Sequence, residues 1–195
     1  MLIVILVILV FLGVWLLMIY IRKSLWDTVH RNLLDLEDHF EGKVIRKSFL
    51  ARPVFHGKIN GVLLTLNFST EKTANGRLTY IDISYDLSTK ISLTISAQNW
   101  LDEQNAGEQE DFTTIVNDHG TTFLVRPVSK PEIQQLLKQD IFKAFINEFN
   151  DLAYFFSGKT GILCEFKTDQ IAVACELDRL KKRLDLIDGL ARAIH

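Results

Sequence analysis

The chain has 195 residues, 22 basic and 24 acidic, with a formal net charge of −2, and aromatic residues make up 10% of it. Balanced charge and that aromatic content exclude a mainly disordered chain, and the near-neutral charge removes the electrostatic case for nucleic acid as a partner. The 48% hydrophobic content is ordinary, but its distribution is not. Much of it sits in the first 21 residues, and no second uncharged run is long enough to span a bilayer, which excludes a multi-span transporter or channel.

Met1 to Ile21 carries no charged residue, and Gly13 is the one position outside the apolar set. As a helix the block is about 31 Å long, close to the ~30 Å hydrocarbon thickness of a bilayer. Trp15 and Tyr20 lie toward its C-terminal end, where Tyr20 suits the interface, and Arg22 and Lys23 stop the run. A cleaved signal peptide needs a basic start, a shorter apolar core and small residues at the cut. Those features are missing here, so an uncleaved single-pass anchor is expected. The bilayer is then one partner and a membrane, the bacterial inner membrane, the location. Arg22, Lys23 and Arg31 flank the C-terminal side and no basic residue flanks the other, which favours a cytoplasmic C-terminal domain.

Residues 22–42 form a predicted stalk helix. Leu25, Val29, Leu33, Leu36 and Phe40 recur at three- and four-residue steps and make one apolar stripe. The stripe either packs on its own domain or pairs with another chain, so it is the candidate interaction face for a protein partner or a second copy. Gly42 is a plausible stop.

From Lys43 to Val128 the pattern changes to period two. Predicted strands cover Val44–Leu50, Val62–Ser69, Leu78–Leu87, Ile91–Ala97, Phe112–Val116 and Thr121–Val128. Turn chemistry separates them at His56-Gly57 with Asn60-Gly61, at Asn75-Gly76 and at Asn117–Gly120. In the third strand, Tyr80, Asp82 and Ser84 are assigned to a wet face and Ile81, Ile83 and Tyr85 to the core. Asn99–Asp111 is acidic and reads as a solvated loop.

Ser129–Glu132 matches a capping box with proline in the first turn. The helix it would open runs to about Phe149, with a break admitted at Asp140. Leu152–Phe156, Gly161–Phe166 and Ile171–Leu177 read as short strands, and Asp178–Ile194 as an amphipathic helix. The fold class is therefore α+β: an N-terminal transmembrane helix, then residues 43–195 as one mainly antiparallel β-sheet domain with two amphipathic helices in its C-terminal half.

The sequence carries few chemical motifs. The GKT of Gly158–Thr160 lacks the earlier glycine of a phosphate loop, because position 153 is Ala153, and it reads as a hairpin turn. The five histidines have no metal-ligand spacing. Cys164 and Cys175 read as reduced core residues. No catalytic constellation, cofactor site or metal site is predicted, although convergence of Asp82, His119 or Glu165 would point to an enzyme. Glu41–Val44, Pro53–Val62 and Leu78–Ile81 together resemble uncharacterised bacterial membrane-anchored proteins with one N-terminal span and an α+β domain. The resemblance rests on turn glycines and strand hydrophobics, and it implies architecture without any site residue. The expected function is a membrane-anchored accessory or interaction protein, a subunit of a membrane complex. The alternative is a membrane-proximal module binding lipid or another hydrophobic ligand between Phe142, Phe145, Phe149, Phe155 and Phe156.

Overall fold

A computed structural model describes residues 2–73, 76–98 and 111–195. Met1 and most of the acidic Asn99–Asp111 stretch lie outside the described residues. The chain begins with one continuous helix, α1 (Leu2–Leu34), of 33 residues, about 50 Å long at the usual rise. It is the one described helix long and apolar enough to cross a membrane. Its apolar part is unburied: Trp15, Tyr20 and Ile21 are all exposed. Its last turns belong to the domain, where Trp26, Val29 and Leu33 are buried. The predicted span and the first part of the predicted stalk are thus one uninterrupted helix, but it stops at Leu34, and residues 35–41, which carry Leu36 and Phe40, are turns rather than the rest of a stalk helix running to residue 42.

After a set of turns through Glu41 come β1 (Lys43–Ile45), β2 (Val54–Ile59), β3 (Val62–Thr73), β4 (Gly76–Tyr85), β5 (Leu93–Ala97), β6 (Thr113–Val116) and β7 (Thr122–Arg126). Two helices follow, α2 (Pro131–Leu136) and α3 (Asp140–Glu148). The chain closes with β8 (Leu152–Gly158), β9 (Gly161–Thr168), α4 (Ile171–Ala174) and α5 (Leu177–Ala193). The strands form one sheet in the order β1-β2-β3-β4-β9-β8-β5-β7-β6, with every pairing antiparallel. The C-terminal hairpin is therefore inserted between β4 and β5.

Period-two alternation puts Leu64, Leu66, Ile81, Ile83, Ile95, Phe155, Cys164 and Phe166 on one face. There they share a core with Val29, Leu33, Leu36, Phe145, Leu180, Leu184 and Ile187 from the helical segments. The predicted α+β class is what is observed, with more helices than the two foreseen in the C-terminal half.

Several local expectations are corrected. β1 is only three residues long, since Arg46 turns back to donate to the carbonyls of Ala51 and Phe49. His56 and Gly57 lie inside β2 rather than in a turn. Gly57 is there for space: a Cβ would come within 2.7 Å of the Phe40 carbonyl and 2.6 Å of the Phe55 ring. The capping box does not form. Lys130 occupies the N-cap, and the Ser129 hydroxyl donates instead to Asp111 at 2.7 Å. Ile171–Leu177 is not a strand but the short α4 and the start of α5. Its backbone closes local bonds from Ala174 N–H to the Gln170 carbonyl and from Cys175 N–H to that of Ile171. The Gly158–Thr160 segment does make a hairpin turn, with Gly158 paired to Gly161.

Candidate functional site

Two regions gather polar groups in ways that core packing does not require. The first is the point where α1 enters the domain. Trp26 packs its ring on Phe68 of β3, centroids 5.3 Å apart. The guanidinium of Arg52 lies over the same indole, 5.6 Å from its centroid. Arg52 donates to the Phe68 carbonyl at 2.8 Å and to the Thr70 hydroxyl. The next residue, Asp27, accepts from Arg46 at 2.6 Å and faces Lys23 at 3.5 Å. The hydrogen bond from Arg46 holds the Asp27 carboxyl below its ordinary value, against the desolvation that would raise it. The segment between β1 and β2 is thereby fastened to the exit of the apolar run through two arginines that periodicity gave no reason to single out.

The second region is the sheet face away from the helices. Register lines up one row across five strands: Asn67 faces Asp82, Asp82 faces Glu165, Glu165 faces Tyr154, and Tyr154 faces Ser96. A β-bulge between Leu152 and Tyr154 allows Leu152 to turn into the core while Tyr154 meets Glu165. Asp82 is only 8% exposed, and Ser69 donates to it at 3.0 Å. Burial pushes its carboxyl up, with Ser69 and Arg52 opposing. Glu165 is raised as well, by burial first and then by Asp82 and Glu71. The two residues are register neighbours, and the Asp82 charge adds to the burial that disfavours ionisation of Glu165. Beside this row, Leu63, Thr65, Ser84, Phe156 and Leu163 line a shallow groove of about 470 Å³.

The face assignment of Tyr80, Asp82 and Ser84 opposite Ile81, Ile83 and Tyr85 matches the structure. The burial of Tyr80 and Asp82 corrects the expectation that the first face is wet. Alternation records which side a residue takes, not how deeply its neighbours cover it. Asp82 and Glu165 converge, but His119 is exposed in the turn between β6 and β7 and does not join them. Among the described residues no group of three or more His, Cys, Asp or Glu side chains is arranged to hold a metal ion.

The candidate interaction face is corrected more sharply. Val29, Leu33 and Leu36 are fully buried in their own domain and Phe40 nearly so, leaving Leu25 at 39% exposure. The stripe is core, because the sheet supplies the apolar surface that a second chain would otherwise have to provide. The aromatic residues suggested as a ligand cavity are mostly core too. Phe145 packs edge-on against Phe149 and Phe155 at 5.2 Å, Phe149 packs on Phe166 at 5.0 Å, and Phe142 is buried. These rings fill the space proposed for a ligand, while Phe156 points to the other face and the groove there. Arg22 and Lys23 are exposed beside the apolar run, and Arg31 is exposed further along α1, where its Nε donates to the Asp27 carbonyl. Cys164 and Cys175 are free and buried, although Cys175 follows α4 instead of lying in a strand.

No protein-family model matches the chain, and no curated protein matches it. Among solved structures it is similar to the mycobacterial trehalose monomycolate transport factor A, TtfA, with a TM-score of 0.55 and 11% identity. The match covers 88% of this chain and 97% of that one. At that identity the likeness is one of fold.

Proposed function

We propose that the protein is a single-span membrane-anchored accessory protein whose domain is held close to the bilayer and works by contacting a protein of a membrane complex. The observation that carries this is the continuity of α1. Its first two-thirds are apolar and unburied, while Trp26, Val29 and Leu33 near its end are core residues of the domain. A removable leader is normally followed by a small-residue cleavage site. Here the residues just after Ile21 remain in the helix that supports the core. Burying the apolar run in hydrocarbon also resolves an exposed patch far larger than a soluble monomer carries.

Arg22, Lys23 and Arg31 support a cytoplasmic domain and, for a bacterial protein, an inner-membrane location. The open sheet face is the surface available to the partner, since the α1 stripe is used internally. The fold shared with TtfA, named as a transport factor, fits an accessory role beside a membrane transport assembly. So does the arrangement of uncharacterised membrane-anchored proteins with one span and an α+β domain.

Fractionation of cells expressing the full chain tests the anchor. Carbonate-resistant, membrane-bound protein with its first residues intact is expected. Mature protein in the aqueous fraction, starting downstream of Ile21, overturns the reading. Trypsin added to inside-out vesicles should cut the domain, and protection there would reverse the assigned side.

A further inference from the structure

The membrane end of the domain concentrates arginines from three separate parts of the chain. Arg22 and Trp26 are four residues apart, so they share a face of α1 about 6 Å apart along the axis. Arg52 lies over Trp26 and bonds to Thr70. Beyond Thr70 the β3–β4 pair continues alone. Pairing to β2 ends at Phe55 with Leu66, and pairing to β9 ends at Thr79 with Thr168. The resulting two-stranded ribbon puts Lys72 directly opposite Arg77, both exposed. Like charges facing each other across a strand pair are unfavourable.

Arg22 and Arg77 are both close enough to Arg52 to lower its proton affinity, after the larger effect of its burial, while Asp82 opposes them. The nearby acids have other partners. Asp82 accepts from the Ser69 hydroxyl at 3.0 Å, Asp27 is shared by Arg46 and Lys23, and Glu71 accepts from the Tyr80 hydroxyl at 3.0 Å. Arg52 is held in place by two hydrogen bonds and an indole, so it offers a pre-oriented charge in place of a mobile one. The cluster therefore has positive charge to spare, it is ordered, and it sits where the apolar run ends.

We propose that Arg22, Arg52 and Arg77 form a seat for the phosphate of an anionic phospholipid headgroup, whose acyl chains lie along the exposed apolar part of α1. Guanidinium groups suit phosphate oxygens because their planar donors match the anion's geometry. The ribbon carrying Lys72 and Arg77 then rests on the bilayer surface and sets how the domain stands on it. This inference rests on the anchored reading above, but its test is separate from the fractionation that decides anchoring.

Native mass spectrometry of the full chain, released from detergent with equal phosphatidylglycerol and phosphatidylcholine, reads the retained lipid directly. Preferential retention of phosphatidylglycerol is expected. Arg22→Gln with Arg77→Gln, both at exposed positions, should weaken it roughly fivefold per arginine removed. Arg52→Lys keeps the charge but loses the fork, and it should also lower retention. Lys90→Gln, at an exposed position outside the cluster, should change nothing. Equal retention of the two lipids, or an unchanged preference in the double variant, overturns the seat. Full displacement of phosphatidylglycerol by millimolar inorganic phosphate would instead assign the site to a free anion and overturn the lipid. If the chain fractionates with membranes but shows no lipid preference, only this inference fails.

Discussion

The Trp26 ring meets the Phe68 ring at 5.3 Å, and through that contact the helix carrying the apolar run is fixed to the third strand of the sheet. Trp26 is 6% exposed and also supports Arg52. Trp26→Ala should destabilise the domain by about 3–5 kcal/mol, the usual cost of removing a buried large aromatic. Trp26→Phe should recover much of that loss. Denaturant unfolding of the full chain in detergent, followed by circular dichroism, measures both, and a loss near zero would separate the helix from the core.

A second fastening joins α5 to the sheet. The Tyr85 hydroxyl donates to Asp188, which also accepts from Asn60 and from Arg192, each at 2.9 Å. Desolvation acts to raise the Asp188 carboxyl, but bonds from Arg192, Tyr85 and Asn60 outweigh it and hold the carboxyl below its ordinary value of 3.8. The stability from this site is present above that value and is lost as pH falls through the lowered one. Tyr85→Phe should cost about 1.5–3 kcal/mol at neutral pH, as for a lost bond to a charged group. It should also make acid unfolding less steep over that range. Paired unfolding curves at neutral and acid pH test this.

Asp82 and Glu165 work in the opposite sense. Both folded-state values are raised above the ordinary 3.8 and 4.5. Their contribution is complete below those values and is lost as pH rises through the raised ones. Asp82→Asn and Glu165→Gln should each increase stability at neutral pH, and each should flatten its decline from acid toward neutral. Comparing each variant with the parent cancels the other carboxyls. A parent that gains more stability than the variants over that rise in pH would contradict the shared burden.

Gly57 illustrates a residue chosen for space. Because a Cβ would strike both the Phe40 carbonyl and the Phe55 ring, Gly57→Ala should destabilise by about 1–3 kcal/mol through overpacking. Gly13→Ala, where nothing lies within 4 Å of the added Cβ, is the matched control and should not. Thermal unfolding of both variants tests the contrast.

The buried thiols give a further check. Burial raises Cys164 well above its ordinary value and Cys175 to about 12. Both should resist maleimide in the folded chain and react once it is unfolded. Labelling followed by mass spectrometry distinguishes this from an accessible thiol.

Local pattern carried the β3, β4, β8 and β9 strands, the closing helix and the division of β4 into two faces. Each is a repeat of two or of three to four residues that a neighbour cannot disguise. It failed at Ile171–Leu177, where an apolar run of strand length suits a short helix equally well. It failed again at Ser129, because the capping hydroxyl was claimed by Asp111, 18 residues earlier in the chain. Of the candidate sites, Arg22 and Lys23 were legible from their position beside the apolar run. Arg52 and Arg77 were not, since each is an unremarkable charge until folding carries it to the same end of the domain.

Length and periodicity along the chain were enough to specify an apolar opening segment long enough for a bilayer, an α+β chain, and antiparallel strands with one face turned inward, because each is a local property of neighbouring residues. It took the folded arrangement to place the α1 stripe in the core, to set Asp82 beside Glu165, and to bring arginines from three segments to one end. Those are contacts between residues far apart in the chain, set by strand order and by which surface was free to cover the helix.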